Sequence, residues 1–240
     1  MLKRSLYLIL FLIFLITFYA FAPAVSARVE PPSEFESEGI LLMDAGTGKN
    51  LVARNEHEKY YPASLTKIMT ILLVLEGLEE GRYSLDDMVT ISENTAGQVG
   101  SRIFLSQGDV VSLEELMIGI AVGSANDATM AVAEYCFGSA ETFVNEMNKK
   151  AAALGMKNTN FVTPHGLHND NHYSTPYDVA LMSRELLNYP KVHEWFSIWL
   201  DENFLAGKIK SERVYLSNTN QLIYSYSGAD GIKTGYTSEA

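Results

Sequence analysis

The apolar and polar positions of this chain fall into blocks whose period changes along the sequence. Residues from Leu6 to Phe21 are almost all apolar, stand behind Lys3 and Arg4, and lead to the small residues Val25, Ser26 and Ala27. That order predicts a secretory signal, residues 1–27, cleaved after Ala27. An uncleaved anchor is the alternative, because the run approaches the ~20 residues that span a bilayer. Two short apolar runs around Ala45, Gly46, Thr47 and Gly48 predict a β-hairpin. From Pro62 to Gly81 the pattern predicts a helix apolar nearly all round, through Ile68, Met69, Ile71, Leu72, Leu73, Val74 and Leu75, and therefore buried. Short strand-like pieces follow, then a helix from about Leu113 to Val122 and another opening near Ser124 or Asn126. Residues 139–154 and 176–188 read as amphipathic helices, and GADGIKTGYT at 228–237 as a strand entered through a glycine-rich turn. There is no internal repeat. The prediction is one α/β (α+β) domain in which helices accompany an antiparallel sheet that begins with the N-terminal hairpin.

Charge narrows the partners. The chain carries 29 acidic and 18 basic residues, a net −11, and losing residues 1–27 removes two basic residues and no acidic one, giving −13. No nucleic-acid partner is expected, since such binding needs basic clusters to neutralise phosphates. Cys136 is the only cysteine, so there is no internal disulfide, and a chain of this length buries enough surface without one.

One residue breaks the local rules. Lys67 puts a cation in the first turn of a buried helix, at the positive end of the helix dipole. Ser64 lies one turn earlier on the same face. A hydroxyl becomes a nucleophile when a base takes its proton, and a lysine is such a base when desolvation and positive surroundings lower its pKa. Ser64 as a simple cap with Lys67 snorkelling to water explains the pair equally well, because Ser-x-x-Lys arises about once by chance in a chain this long. The set Ser-x-x-Lys, Ser-Asp-Asn and Lys-Thr-Gly marks penicillin-binding proteins and class A β-lactamases. Here Lys233, Thr234 and Gly235 occur once, and Ser-x-Asn occurs twice, as Ser92, Glu93, Asn94 and as Ser124, Ala125, Asn126. The first lies in a polar segment and reads as a turn. The second follows an apolar helix, so Ser124 and Asn126 are the candidates, the hydroxyl to relay a proton and the amide to hold Lys67 and a substrate carbonyl. Lys233 suits a substrate carboxylate, and Gly235 leaves room for a backbone to lie close.

YYPASLTKIMT at 60–70, GSANDA at 123–128, TPHGLHNDNHYSTPYDVALMSREL at 163–186 and DGIKTGYT at 230–237 resemble the serine D-alanyl-D-alanine carboxypeptidases, the low-molecular-mass penicillin-binding proteins of peptidase family S11. The resemblance implies a β-lactamase/DD-peptidase-like fold with a helical subdomain, occupying residues 28–240. It implies that Ser64 attacks the bond between the two D-alanines of a peptidoglycan stem peptide, with Lys67 as proton acceptor. The oxyanion would then be held by the backbone N–H groups of Ser64 and Tyr236, and the terminal carboxylate by Lys233. β-Lactams would acylate Ser64, no cofactor or metal would be needed, and the enzyme would work outside the bacterial cytoplasmic membrane, in the periplasm or wall space.

Ala125 stands where members often have glycine or aspartate. Relatives continue past Lys-Thr-Gly with further strands and usually a β-rich domain ending in a membrane anchor. By that resemblance the chain is incomplete at its C-terminus, a poor catalyst as it stands, and in membrane contact only through the missing part or an uncleaved signal. Three alternatives are a catalytically incompetent wall-binding relic, a class A-like β-lactamase and a zinc site. The second is opposed by Glu185, one residue too close to Asn188 for Glu-x-x-Leu-Asn. The third would use His165, His168, Asp170 and His172.

Overall fold

The helix that follows Pro62 runs through the centre of the protein. In this computed structural model, which describes residues 30–238, a 3-10 turn at Ala63–Thr66 runs directly into α1, Lys67–Glu79. Ile71, Leu72 and Val74 on α1 have no exposed surface. Full burial of such side chains contributes about 1.5–3 kcal/mol each, which offsets the missing side-chain cap at the start of α1. The predicted signal at 1–27 lies outside the described residues.

Around α1 pack four helices. They are α3 (Leu113–Gly123), α4 (Asn126–Phe137), α5 (Ala140–Ala153) and α6 (Pro176–Leu186). Local chemistry starts three of them: Ser112 and Glu115 form a reciprocal capping box on α3, Ser139 caps α5, and Thr175 caps α6 ahead of Pro176. The short helix α2 (Glu93–Ala96) lies against α4, and α7 (Pro190–Phe196) against α3. A one-turn helix, α8, covers Leu222–Ser225.

Among the described residues the strands form three antiparallel pairs. The predicted hairpin is present, β1 (Ile40–Met43) with β2 (Asn50–Arg54), and β1 rests on α6. β3 (Met88–Thr90) pairs β4 (Val110–Ser112), and β5 (Leu200–Phe204) pairs β6 (Val214–Ser217).

The strand expected at 228–237 is not formed: those residues belong to no ladder. The reason is spatial. A groove of about 1310 Å³, lined by Leu41 and Met43 of β1, Val179 and Leu187 near α6, and Ile232 and Gly235, lies between the segment and the free edge of β1. The backbone that the segment does approach, at Pro62 and Ser64, belongs to the 3-10 turn and offers no extended edge for a ladder. Among the described residues no helix is long and apolar enough to cross a membrane.

Candidate active site

Ser64 sits half-buried in the 3-10 turn, and Lys67 begins α1 with 0% of its surface exposed. The Lys67 Nζ donates to Ser64 Oγ at 2.9 Å and to the His165 carbonyl oxygen at 2.9 Å. Lys67 forms no ion pair among the described residues. Burial holds its pKa well below the ordinary lysine value, the nearby charge of Lys233 pushes the same way, and the carboxylate of Asp127 opposes both.

The loop that supplies the His165 carbonyl is fastened to the same turn. Thr70 Oγ1 donates to the Pro164 carbonyl at 2.6 Å, and Gly166 adopts φ +86° against Ala63, where a Cβ would fall on the Ala63 carbonyl. His172 is buried, and its Nδ1 accepts from the Val162 N–H at 3.0 Å. The proton therefore sits on Nε2, which donates to Thr66 Oγ1 at 2.7 Å. Burial pushes His172 down to about 4; His165 falls to about 3, through burial first and then the charge of Lys67. Both are neutral and structural. His165 Nδ1 accepts from Leu167 N–H, and His168 faces Asp170 at 3.3 Å. The zinc alternative loses its ligands in this way: among the described residues no three such donors converge.

The two Ser-x-Asn sets part company. Ser92 caps α2 and donates to Glu134 at 2.6 Å, and Asn94 donates to the same carboxylate at 2.6 Å. That set is a helix anchor. Ser124 ends α3 in a left-handed conformation, φ 58°, and Asn126 begins α4; both are buried. Asn126 Nδ2 donates to the Val99 carbonyl at 2.7 Å. One N–H of the amide is thus committed to the loop that contains Val99 and Gly100, and Lys67 is held by Ser64 and His165 rather than by Asn126. A Cβ on Gly100 would lie 2.8 Å from Asn126 Nδ2 and 3.9 Å from Leu167, so Asn126 and the loop behind Lys67 meet at one glycine.

The Lys-Thr-Gly segment reaches the nucleophile without a ladder. A Cβ on Gly235 would stand 3.0 Å from the Pro62 carbonyl oxygen and 3.3 Å from the Ser64 nitrogen. Lys233 is only 9% exposed, its Nζ donates to the Thr234 carbonyl at 3.1 Å, and burial lowers it to about 8. Thr234 Oγ1 donates to Thr219 Oγ1 at 2.8 Å, the Thr219 N–H donates to the Val122 carbonyl at 3.1 Å, and Asn220 Nδ2 donates to the Gly231 carbonyl at 3.0 Å. Thr219 therefore ties the segment to the end of α3, two residues before Ser124. Tyr236 is 87% exposed at the rim.

Chain comparison fits this geometry. The sequence profile of the D-alanyl-D-alanine carboxypeptidase family, peptidase family S11, matches residues 25–240. The chain belongs to that family. It is 43% identical over 240 residues to the D-alanyl-D-alanine carboxypeptidase DacF of Bacillus subtilis, across 99% of this chain and 61% of that protein. It is 39% identical to DacC of Escherichia coli, across 95% of this chain and 56% of that protein. The fold is similar to that of penicillin binding protein 5 from Haemophilus influenzae, with a TM-score of 0.80, 37% identity and coverage of 88% and 60% of the two chains. It is also similar to the Streptomyces K15 DD-transpeptidase, TM-score 0.77 at 29% identity, covering 88% of this chain and 84% of the other. The chain thus spans about 61% of the length of the Bacillus carboxypeptidase it matches. These neighbours carry the penicillin-binding DD-peptidase fold expected from the motifs.

Sequence reasoning missed Thr66, Thr70, Asp127, Thr219 and Asn220, which hold the cleft in place, and named His172 only as a metal ligand. Among the five, Asp127 alone carried a readable signal, a carboxylate beside Asn126 in a helix opening that is otherwise small and apolar.

Proposed function

We propose that the chain carries the catalytic machinery of a serine-type D-alanyl-D-alanine carboxypeptidase. One observation supports this above the rest: a fully buried lysine with a lowered pKa donates to a serine hydroxyl at 2.9 Å, and the backbone at Gly235 lies against that serine. In the working state Lys67 is neutral and accepts the Ser64 proton as Oγ forms a bond to the penultimate D-alanyl carbonyl carbon. The oxyanion faces the N–H groups of Ser64 and Tyr236. As it collapses, the bond to the terminal D-alanine breaks, and its nitrogen leaves with a proton relayed through Ser124. Water then attacks the acyl ester, with Lys67 again taking a proton. Lys233 receives the terminal carboxylate, Thr234 borders it, and Gly235 lets the peptide backbone approach. β-Lactams, which imitate the dipeptide, acylate Ser64 by the same first step. The substrate is a peptidoglycan stem peptide, and the signal at 1–27 directs the chain across the cytoplasmic membrane.

Fluorescent penicillin tests this. The chain becomes covalently labelled, and Ser64→Ala abolishes labelling; label retained in that variant overturns the assignment of the nucleophile.

A further inference from the structure

Residues 99–105 form neither strand nor helix, yet every second residue is held. The Val99 carbonyl accepts from Asn126 Nδ2 and the Ser101 carbonyl from the Asn126 N–H, each at 2.7 Å. The Ile103 and Leu105 N–H groups donate to Asp127 Oδ1 and Oδ2, each at 3.1 Å. The run bends at Gly100 and Phe104, whose φ values of 82° and 58° are left-handed, so these ties are not those of a strand. Two successive residues at the start of α4 receive all of them instead. Asp127 is 1% exposed and also accepts from the Ala128 N–H at 2.9 Å. A buried carboxylate is costly unless its oxygens are satisfied, and three backbone donors satisfy this one. Gly100 brings the run within contact of the Asn126 amide.

We infer that Asp127 is a positioning residue for acylation: its carboxylate locks residues 99–105 onto the start of α4, and the locked segment in turn fixes the Asn126 amide and Ser124 in the cleft. This role rests on the carboxypeptidase reading. Among the described residues the same carboxylate is the one anion in the field of Lys67. The other groups around that lysine are Ser64 on its own turn, the His165 carbonyl and neutral imidazole on the loop behind, and Lys233 on the closing segment.

Two variants separate position from charge. Asp127→Asn turns an amide N–H toward at least one of the three backbone donors and loses the charge; Asp127→Glu keeps the charge and displaces the oxygens. In both, the plateau rate of penicillin acylation falls roughly 10- to 100-fold, the scale of a catalytic group misplaced by about 1 Å. The acid limb of the rate against pH moves to lower pH in Asp127→Asn, because an anion that favours protonated Lys67 is gone, and stays in place in Asp127→Glu. Hydrogen exchange at the Ile103 and Leu105 amides speeds up in both variants while exchange in α1 does not.

Unchanged acylation in both variants, unchanged exchange at Ile103 and Leu105, or a plateau loss in Asp127→Asn with an unmoved acid limb each overturns the proposal. Failure of the unsubstituted chain to label with penicillin sinks the carboxypeptidase reading and a catalytic role for Asp127 with it. The exchange measurement would still report whether the lock on residues 99–105 exists.

Discussion

Gly235 and Ser64 meet backbone to backbone, and a methyl group on Gly235 would sit 3.3 Å from the Ser64 nitrogen and from Ala63 Cβ. Gly235→Ala therefore forces the 233–236 segment outward by a few tenths of an ångström. Penicillin acylation is expected to fall roughly 10- to 100-fold while the melting temperature stays nearly constant, because no core contact is lost. Stopped-flow acylation and a thermal melt check both halves.

Lys67 carries opposite consequences for stability and chemistry. Its folded pKa lies below its unfolded value of 10.5, so the unfolded chain binds more protons between the two values, and the burden on folding grows as pH falls through that window. Lys67→Met removes the burden: the expected result is a higher melting temperature at pH 7 and no acylation. Lys67→Arg keeps a cation that cannot deprotonate in the working range and is expected to be equally inactive. An arginine variant acylating at the normal rate refutes the base.

The two Ser-x-Asn sets give a paired test. Ser124→Ala is expected to cost acylation and leave the melt nearly unchanged. Ser92→Ala removes a helix cap and a bond to Glu134, costing about 1 kcal/mol of stability with labelling intact. Urea melts and labelling of the two variants distinguish anchor from site.

His172 sets an acid limit. Its pKa falls from 6.5 unfolded to about 4 folded, so the unfolded state takes up the proton first and stability drops as pH falls from 6.5 toward 4. The loss amounts to about 3 kcal/mol at 1.36 kcal/mol per unit. His172→Gln, which keeps an N–H for Thr66, is expected to flatten that part of the stability curve, read from urea midpoints at pH 7 and pH 4.5.

How far the sequence carried depends on the range of the forces involved. α1 and α3, apolar nearly all round, and α5 and α6, with their caps and 3.6-residue periods, were legible because those signals lie within one element. So were Ser64 and Lys67, one turn apart. The expected strand at 228–237 failed because a strand is a property of two segments, and the sequence of one does not show whether the other lies beside it. The supports of the cleft were hidden for the same reason. Thr219 looks like any loop threonine until Val122 and Thr234 stand on either side of it, and the carbonyl that fixes Lys67 comes from His165, whose side chain has no part in that bond.

The bond between Thr234 and Thr219 is solvent-exposed, whereas α1 and α3 beneath it are sealed. Exposed bonds open at lower free energy than a buried core. On warming, the closing segment therefore loosens from Thr219 while the helices remain folded, and Lys233 and Tyr236 drift from Ser64. On the carboxypeptidase reading, heat is expected to silence such a protein in two stages: a reversible loss of acylation below the melting temperature, recovered on cooling, and then collapse of the whole. Its working ceiling is set by the ties of that segment, the threonine pair at the rim and the bond from Asn220 to Gly231 among them, and thickening the core would leave that ceiling where it is.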